Sequence, residues 1–245
     1  ADTIDGGNHT TLVDGTQGDG NPYSGKGDTV SYDYITSTAD KITINLGTQL
    51  ATETIGGTTY TDTILNIENV TGGSGDDTLT GKDSTTANTI QGGAGSDTIY
   101  STQGSDRIDG DTISGANGTG IDKVIYTGEE GAITVTSSGA TYTVSKGEDS
   151  SVDTLTNIEE ILGTQLADNF TGGTAKDTFR GGAGADIFRG GANDDSLYGE
   201  TGNDTFIATA LDDGADYIDG GSESVSDRGS DTVDYSVITA NADIT

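Results

Sequence analysis

The 245-residue sequence contains no cysteine, methionine or tryptophan and only one proline. Without cysteine, the chain has no disulfide framework, no thiolate metal site and no cysteine nucleophile. Basic residues are also scarce, since 10 Lys and Arg stand against 41 Asp and Glu and the formal net charge is −31. Nucleic acids and anionic membranes attract basic side chains, so this charge excludes both as expected partners and favours cations.

Hydrophobic residues make up only 30% of the chain, and no apolar run is long enough to span a bilayer. We therefore expect no membrane insertion. This composition is compatible with disorder or with a solvated repeat array. Because so many carboxylates repel one another, we expect a compact form to require bound metal ions and folding to depend on them.

Glycine, with 40 residues, is abundant and recurs with a fixed period. The segments Gly72–Thr80, Gly92–Tyr100 and Gly181–Arg189 share one nine-residue template: glycine, glycine, any residue, glycine, any residue, aspartate, any residue, an apolar residue, any residue. Self-similarity at a short period is typical of solenoid architectures.

The second half of the chain repeats this nonapeptide in strict register. The five units begin at Gly163, Gly172, Gly181, Gly190 and Gly199. Their eighth positions hold Phe170, Phe179, Phe188, Leu197 and Phe206, which include all four Phe of the sequence. A disordered linker has no reason to place every Phe at one phase of a period, so the pattern predicts folded structure. A further unit with an insertion places Asp216 at the same phase.

The first half is less regular and predicts a shorter, weaker array. The unit from Gly81 to Gln91 is two residues too long and has Asn88 where an aspartate is expected. The next unit keeps Gly104, Asp106 and Ile108.

A longer repeat surrounds these units. Asp28–Tyr32 resembles Asp122–Tyr126 and Asp231–Tyr235, and Asp62–Asn69 resembles Asp153–Glu160. The last residues, 233–245, resemble residues 30–43, so we expect the chain to be a fragment of a longer repetitive protein.

Apolar residues alternate between the glycine blocks, as at Ile42 and Ile44 or at Ile133 and Val135, which indicates short antiparallel strands. We predict an all-β chain in which parallel β-roll blocks are separated by antiparallel β spacers. The predicted segments are the end of a preceding roll at 1–27, a spacer at 28–71, an irregular roll at 72–110, a spacer at 111–162, a regular roll at 163–221 and the start of a further module at 222–245.

The nonapeptide suits calcium. Glycine permits positive φ, so the turn can direct its carbonyl oxygens inward, and calcium prefers six to eight oxygen ligands from carboxylates and carbonyls. Two units should form one solenoid turn, which stacks Asp168, Asp186 and Asp204 in one column. Asp177, Asp195 and Asp216 should form the opposite column, and the Phe side chains should form a thin apolar core between them. Each ion would bridge neighbouring loops.

These full nonapeptides resemble the RTX (repeats-in-toxin, haemolysin-type) calcium-binding family. The resemblance implies a parallel β-roll, several Ca²⁺ ions as cofactors, type I secretion and an extracellular or cell-surface location. It also implies ions held by the sixth-position aspartates and by carbonyls of the glycine turns. The candidate metal-site residues are Gly72, Gly73, Gly75, Asp77, Gly92, Gly93, Gly95, Asp97, Asp106, Asp168, Gly172, Gly173, Asp177, Gly181, Gly182, Gly184, Asp186, Gly190, Gly191, Asp195, Gly199, Gly202, Asp204 and Asp216. Ala175 and Asn193 in place of glycine, and Asn88 in place of aspartate, predict weaker sites.

We find no catalytic motif and predict that the chain is not an enzyme. It has one histidine, His9, and acid pairs such as Glu129-Glu130 are expected by chance in so acidic a chain. The first functional interpretation is a calcium-binding structural module of a large adhesin-like or surface-layer protein. The alternatives are a C-terminal folding and secretion module of an exported enzyme or toxin, or a surface that recognises ice or carbohydrate. The expected partners are calcium and neighbouring modules of the same chain, with the isolated fragment a monomer.

Overall fold

A computed structural model describes residues 3–5, 11–13, 27–111, 120–147, 150–208, 214–221 and 229–236. The chain forms two compact units, one of Ala1–Val124 with Leu155–Ile158 and one of Ile125–Thr154 with Glu159–Thr245. The predicted end of a preceding roll, the predicted start of a further module and His9 lie mostly or wholly outside the described residues. In the described part of the chain, no helix is long and apolar enough to cross a membrane.

The described structure consists of short strands joined by turns. The first twelve strands are β1 (Thr3–Asp5), β2 (Thr11–Val13), β3 (Thr29–Ser31), β4 (Lys41–Asn45), β5 (Leu50–Ile55), β6 (Thr58–Leu65), β7 (Asn69–Thr71), β8 (Thr78–Thr80), β9 (Thr89–Gly93), β10 (Thr98–Tyr100), β11 (Arg107–Asp111) and β12 (Lys123–Ile125). The remaining strands are β13 (Ile133–Ser138), β14 (Thr141–Lys146), β15 (Val152–Thr156), β16 (Glu160–Leu162), β17 (Asn169–Thr171), β18 (Thr178–Gly184), β19 (Ile187–Arg189), β20 (Ser196–Gly202), β21 (Thr205–Ile207), β22 (Tyr217–Asp219) and β23 (Thr232–Asp234).

Successive nonapeptides of the second unit alternate between two parallel sheets. One sheet has the order β16-β18-β20-β22, and the other contains β17-β19-β21-β23. Phe170 is therefore in register with Phe188, and Phe179 with Leu197. Two nonapeptides complete one turn, which confirms the predicted parallel β-roll.

Stacked rings fill the space between the two sheets of this unit. The Phe170 and Phe188 ring centroids lie 5.0 Å apart, and those of Phe188 and Phe206 lie 4.9 Å apart. Phe179 packs against Phe170 from the facing sheet, with 5.3 Å between ring centroids. All four Phe are buried, so the inward layers are the ones that the nine-residue phase predicts.

The first unit has the same plan with less regular turns. One of its sheets has the order β1-β6-β5-β4-β8-β10, and the other has the order β2-β3-β7-β9-β11. Leu79 pairs with Ile99 and Ile90 pairs with Ile108 in parallel register.

The predicted spacers at 28–71 and 111–162 each contain an antiparallel hairpin, and these hairpins belong to the sheets of the rolls. Other strands of the same segments, β3, β7 and β16, pair in parallel, so the roll pattern extends into both predicted spacers. In the first unit β4 pairs antiparallel with β5 and parallel with β8. In the second unit β13 pairs antiparallel with β14 and parallel with β17. Each hairpin therefore adjoins the first strand of a run of nonapeptides, and this position brings its backbone to the acidic loops.

Candidate metal-binding sites

The sixth-position aspartates lie in the interior of the turns, although aspartate is seldom fully buried without a partner. Eight of the nine predicted acids are no more than 2% exposed, and Asp216 is half-buried. The eight are Asp77, Asp97, Asp106, Asp168, Asp177, Asp186, Asp195 and Asp204.

Backbone hydrogen bonds stack the acids of the second unit into two columns. The Asp168 N–H donates to Asp186 Oδ1 at 2.7 Å, and the Asp186 N–H donates to Asp204 Oδ1 at 2.9 Å. On the other side of the roll, the Asp177 N–H donates to Asp195 Oδ1 at 2.8 Å. The Asp195 N–H reaches Asp216 Oδ1 at 3.1 Å. These are the two columns that the sequence predicts.

The first unit stacks its acids in the same way. The Asp77 N–H donates to Asp97 Oδ1 at 2.8 Å, and the Asn88 N–H donates to Asp106 Oδ1 at 2.8 Å. The structure therefore brings all nine predicted acids into columns.

Two further acids extend these columns and were not predicted as ligands. The Asp97 N–H donates to Asp122 Oδ1 at 2.7 Å, and the Asp204 N–H donates to Asp231 Oδ1 at 2.9 Å. Insertions upstream of both acids break the nine-residue phase, although Gly120 and Gly229 keep the glycine two residues before the acid. The signal that could have found them is the Asp-x-apolar tail, which both acids keep.

Three loops that begin columns have hydrogen-bond donors for both oxygens of their acid, and we call them closed loops. They are residues 72–77, 163–168 and 172–177. In the first, Asp77 Oδ2 accepts the Gly73 N–H at 2.7 Å and Asp77 Oδ1 accepts the Ile42 N–H of β4 at 2.8 Å. Both oxygens of this carboxylate therefore have protein donors.

The second unit closes its first two loops with groups from its own hairpin. Asp168 accepts the Thr164 N–H at 2.6 Å through Oδ2 and the Ile133 N–H of β13 at 2.7 Å through Oδ1. Asp177 Oδ2 accepts the Gly173 N–H at 3.0 Å, and its Oδ1 accepts the Tyr142 hydroxyl of β14. The hairpins thus supply donors to the first acids of the columns.

The loops that follow have a different backbone, and we call them open loops. They are residues 92–97, 181–186, 190–195 and 199–204. Their second and fourth residues have positive φ, with values of 97° at Gly182 and 124° at Gly184. Among the described residues, the buried Oδ2 atoms of Asp97, Asp186 and Asp195 have no hydrogen-bond partner. The open loops of these three acids therefore each present a carboxylate oxygen that needs a cation.

Backbone oxygens converge on the same places. A Cβ built on Gly181 would overlap Asp186 Oδ2 and would lie 2.8 Å from the carbonyl oxygen of Gly199 in the next turn. At the first glycine of the other units, a Cβ would likewise overlap the carboxylate of the same unit. At most of these glycines it would also overlap a carbonyl oxygen of the next turn. These glycines include Gly72, Gly92, Gly172, Gly190 and Gly199. The absent side chain leaves room between a carboxylate and backbone carbonyl oxygens.

Burial changes the proton affinity of these acids. It raises the pKa of Asp97 to about 8 and the pKa of both Asp186 and Asp195 to about 7, and neighbouring aspartates add to the rise. In the closed loop, burial raises the pKa of Asp77 only to about 6, because the Gly73 and Ile42 amides oppose the rise. The open-loop acids are therefore the ones whose charged form most needs a bound cation.

These oxygens fit calcium. Buried carboxylate oxygens and backbone carbonyls are its preferred ligands, and its coordination geometry is flexible. Among the described residues, no group of three or more His, Asp or Glu side chains could hold a metal ion. Each ion would therefore take few side chains and several backbone oxygens. In this arrangement, calcium would neutralise the stacked carboxylates and join consecutive turns.

The residues that depart from the template behave differently from one another. Asn193 adopts a positive φ of 76° and replaces the fourth-position glycine of its loop without closing it. Ala175 lies in a closed loop, where no positive φ is required. Asn88 Oδ1 accepts the Lys82 N–H at 2.8 Å, and its buried Nδ2 has no partner among the described residues. The Asn88 amide nitrogen is a hydrogen-bond donor, and it lies where the other units have an aspartate oxygen, so this loop does not suit a cation.

A family model for the RTX calcium-binding nonapeptide repeat (4 copies) matches residues 66–85, 83–120 and 163–207. The chain carries RTX calcium-binding repeats. The matched segments contain both closed and open loops. RTX nonapeptide repeats bind calcium, several ions to a block, and occur in secreted and extracellular proteins. No curated protein matches the chain.

Proposed function

We propose that this chain is a calcium-binding structural module of a large adhesin-like or surface-layer protein, and that it becomes compact and rigid when it binds extracellular calcium. The observation that carries the proposal is the set of buried open-loop oxygens on Asp97, Asp186 and Asp195, which have no hydrogen-bond partner among the described residues. A charged carboxylate in such a place is costly without a counterion. With calcium, the same oxygens would link consecutive turns.

The open loops are the proposed principal sites. The ligands would be the carboxylates of Asp97, Asp186, Asp195 and Asp204, with carbonyl oxygens of the same and the following turn. Asp106, Asp122, Asp216 and Asp231 continue the columns and would complete sites at their ends. The acids of the closed loops would contribute less, because hydrogen bonds already occupy both of their oxygens.

A structural role fits the place of the acids better than a catalytic one. The carboxylates with raised pKa values lie in stacked columns inside the turns, and their neighbours are backbone amides and other aspartates. We infer that the chain is not an enzyme. We also propose that the roll blocks at 72–110 and 163–221 alternate with spacers in a longer repetitive protein.

Titration of the 245-residue chain with calcium tests the proposal. Circular dichroism and hydrodynamic radius should change together, from an expanded chain in chelator to a compact β-rich one in millimolar calcium. Magnesium at the same concentration is the matched control, because it demands a tighter octahedral site and keeps its waters. A chain whose spectrum and radius are the same in chelator and in calcium would contradict the proposal.

The sequence on either side in the full-length protein separates the adhesin-like role from the secretion-module role. Many further copies of this module would favour a structural adhesin or surface layer. A single catalytic or pore-forming domain directly upstream would favour a C-terminal folding and secretion module.

A further inference from the structure

A cluster of polar side chains lies in the interior of the second unit, beside the β13–β14 hairpin and away from the acidic columns. Lys146 Nζ lies 3.0 Å from Asp153 Oδ1 and 4.0 Å from Glu129 Oε1. The Tyr126 hydroxyl donates a hydrogen bond to Asp153 Oδ2 at 3.0 Å. The side chains of Lys146 and Asp153 are 0% exposed and that of Glu129 is 2% exposed.

The strand pattern places the lysine inside. Along β14, Tyr142, Val144 and Lys146 point inward in alternation. The first two meet other core residues or an acidic loop, whereas the third brings an ammonium group into the interior. A fully buried ion pair is a weak source of stability, because the desolvation of both charges opposes their attraction. This cluster therefore requires a further explanation.

The first unit has the same framework without the amine. Ile42 pairs with Glu53 and Ile133 pairs with Lys146 in the two hairpins. Ile42 and Ile133 are equivalent, because each donates its N–H to the first acid of a column. The second unit therefore has Lys146 where the first has Glu53.

We propose that Lys146 and Asp153 form an intramolecular amide bond, with Glu129 as the proton carrier. This is a self-modification of the folded chain and is independent of the calcium sites. The requirements for such a reaction are an amine held against a carboxyl group, a nearby base and exclusion of water. All three are present in this cluster.

The reaction balances without any other reactant. Glu129 accepts a proton from the Lys146 ammonium, and the freed nitrogen lone pair attacks Asp153 Cγ to form the N–C bond. The electron pair of the carbonyl moves to Oδ2, where the Tyr126 hydroxyl stabilises the developing charge. Oδ1 then takes up two protons, one returned by Glu129 and one released by the attacking nitrogen, and leaves as water. An ammonium and a carboxylate become one neutral amide and one water, and Glu129 ends in its starting state.

The product removes two buried charges and closes a covalent ring through the backbone from Lys146 to Asp153. It ties the end of β14 to β15. The β13–β14 hairpin supplies the donors to Asp168 and Asp177, so the bond holds this hairpin in place whether or not calcium is bound.

Mass spectrometry of the 245-residue chain folded in calcium tests the inference. We expect an intact mass lower than that of the sequence by one water molecule. Trypsin does not cleave after an acylated lysine, so digestion should leave one peptide of residues 124–176, also lighter by one water. Full mass together with complete cleavage after Lys146, in a chain that circular dichroism shows to be folded, would overturn the proposal.

Two variants assign the roles. Lys146→Arg keeps a buried cation and should show the full mass of its sequence. Glu129→Gln keeps the shape of the cluster and removes the proton carrier, so the wild-type loss of water should slow at least about tenfold. A Glu129→Gln chain that loses water as fast as the wild type would refute the role of Glu129. Calcium titration of the same samples reports separately on the metal sites, so the two proposals can fail independently.

Discussion

Closed and open loops of this chain share the same aspartate and the same apolar tail, but they satisfy the carboxylate in different ways. In the closed loop of Asp168, the backbone of Thr164 and Ile133 donates to both oxygens. In the open loop of Asp186, the Asp168 amide donates to Oδ1 and no described residue donates to Oδ2. One loop is complete with protein groups alone, and the other needs a cation.

The difference teaches where calcium dependence resides. Three of the columns begin on a closed loop, whose carboxylate oxygens already accept hydrogen bonds from a hairpin and from the loop's own backbone. These columns continue through open loops that metal ions would hold together. The closed loops and hairpins should therefore form a base on which successive turns add as calcium binds. This view predicts unequal effects for the same substitution in the two kinds of loop.

The largest difference should come from the second glycine of a loop. Gly182 of an open loop has a φ of 97°, and a Cβ there would overlap the carbonyl oxygen of Thr164 in the preceding turn. Gly173 of a closed loop has no positive φ, and a Cβ there meets the movable end of Ser137. We expect Gly182→Ala to lower the free energy of unfolding in calcium by about 3 kcal/mol and Gly173→Ala by about 1 kcal/mol or less. Urea unfolding in excess calcium measures both, and equal losses would contradict the distinction.

A smaller difference should separate the acids themselves. Asp186→Asn keeps the acceptor for the Asp168 amide and places an amide group where the cation would bind. We expect the midpoint of calcium-driven folding to rise about tenfold, which corresponds to about 1.4 kcal/mol. Asp168→Asn removes an acceptor from a loop that already has protein donors, so it should weaken folding similarly at all calcium concentrations, by about 1 kcal/mol. Calcium titrations followed by circular dichroism compare the two, and a larger shift in midpoint for Asp168→Asn would reverse the assignment.

The same acids should also make stability and calcium affinity depend on pH. Burial raises the pKa of Asp97 to about 8 and of Asp186 to about 7, whereas an unfolded aspartate ionises near its ordinary value of 3.8. Between these values the metal-free folded chain binds more protons than the unfolded chain, so its stability falls as the pH rises from about 4 to about 8. Calcium must displace those protons, so its affinity should increase as the pH rises from about 6 to about 8.

Calcium titrations at about pH 6 and about pH 8 check this expectation. The metal-free chain should retain more β structure at about pH 5 than at about pH 8. A calcium midpoint that is the same at both pH values would mean that the open-loop acids are already ionised before the metal binds.

The sequence alone predicts the roll because its pattern is local. Nine residues per unit and an aromatic at the eighth position suffice to place Phe170 over Phe188, and the structure confirms that register. The antiparallel hairpins were also predictable, from alternating residues such as Ile133 and Val135.

The distinction between closed and open loops was not predictable in the same way. One donor to Asp168 Oδ1 is the Ile133 amide, 35 residues away, and no local pattern specifies that contact. Asp122 and Asp231 were not predicted as ligands, because insertions break the nine-residue phase before them. Lys146 was a missed opportunity, since the alternation that places Tyr142 and Val144 inward continues to it. Glu129 was interpreted as a chance acid, and only the packed core shows that it faces a buried amine.

The stacked rings of Phe170, Phe188 and Phe206 also bear on how such a chain can change in evolution. Consecutive rings come from residues 18 positions apart, the same spacing that joins Asp168 to Asp186. A duplication or loss of eighteen residues therefore inserts or removes one full turn of the roll, and every later Phe ring and aspartate keeps its neighbours. A change of nine residues would move each later strand to the opposite sheet and exchange the two columns. The roll can thus be lengthened or shortened by inheritance in steps of one full turn, without redesign of the parts that remain.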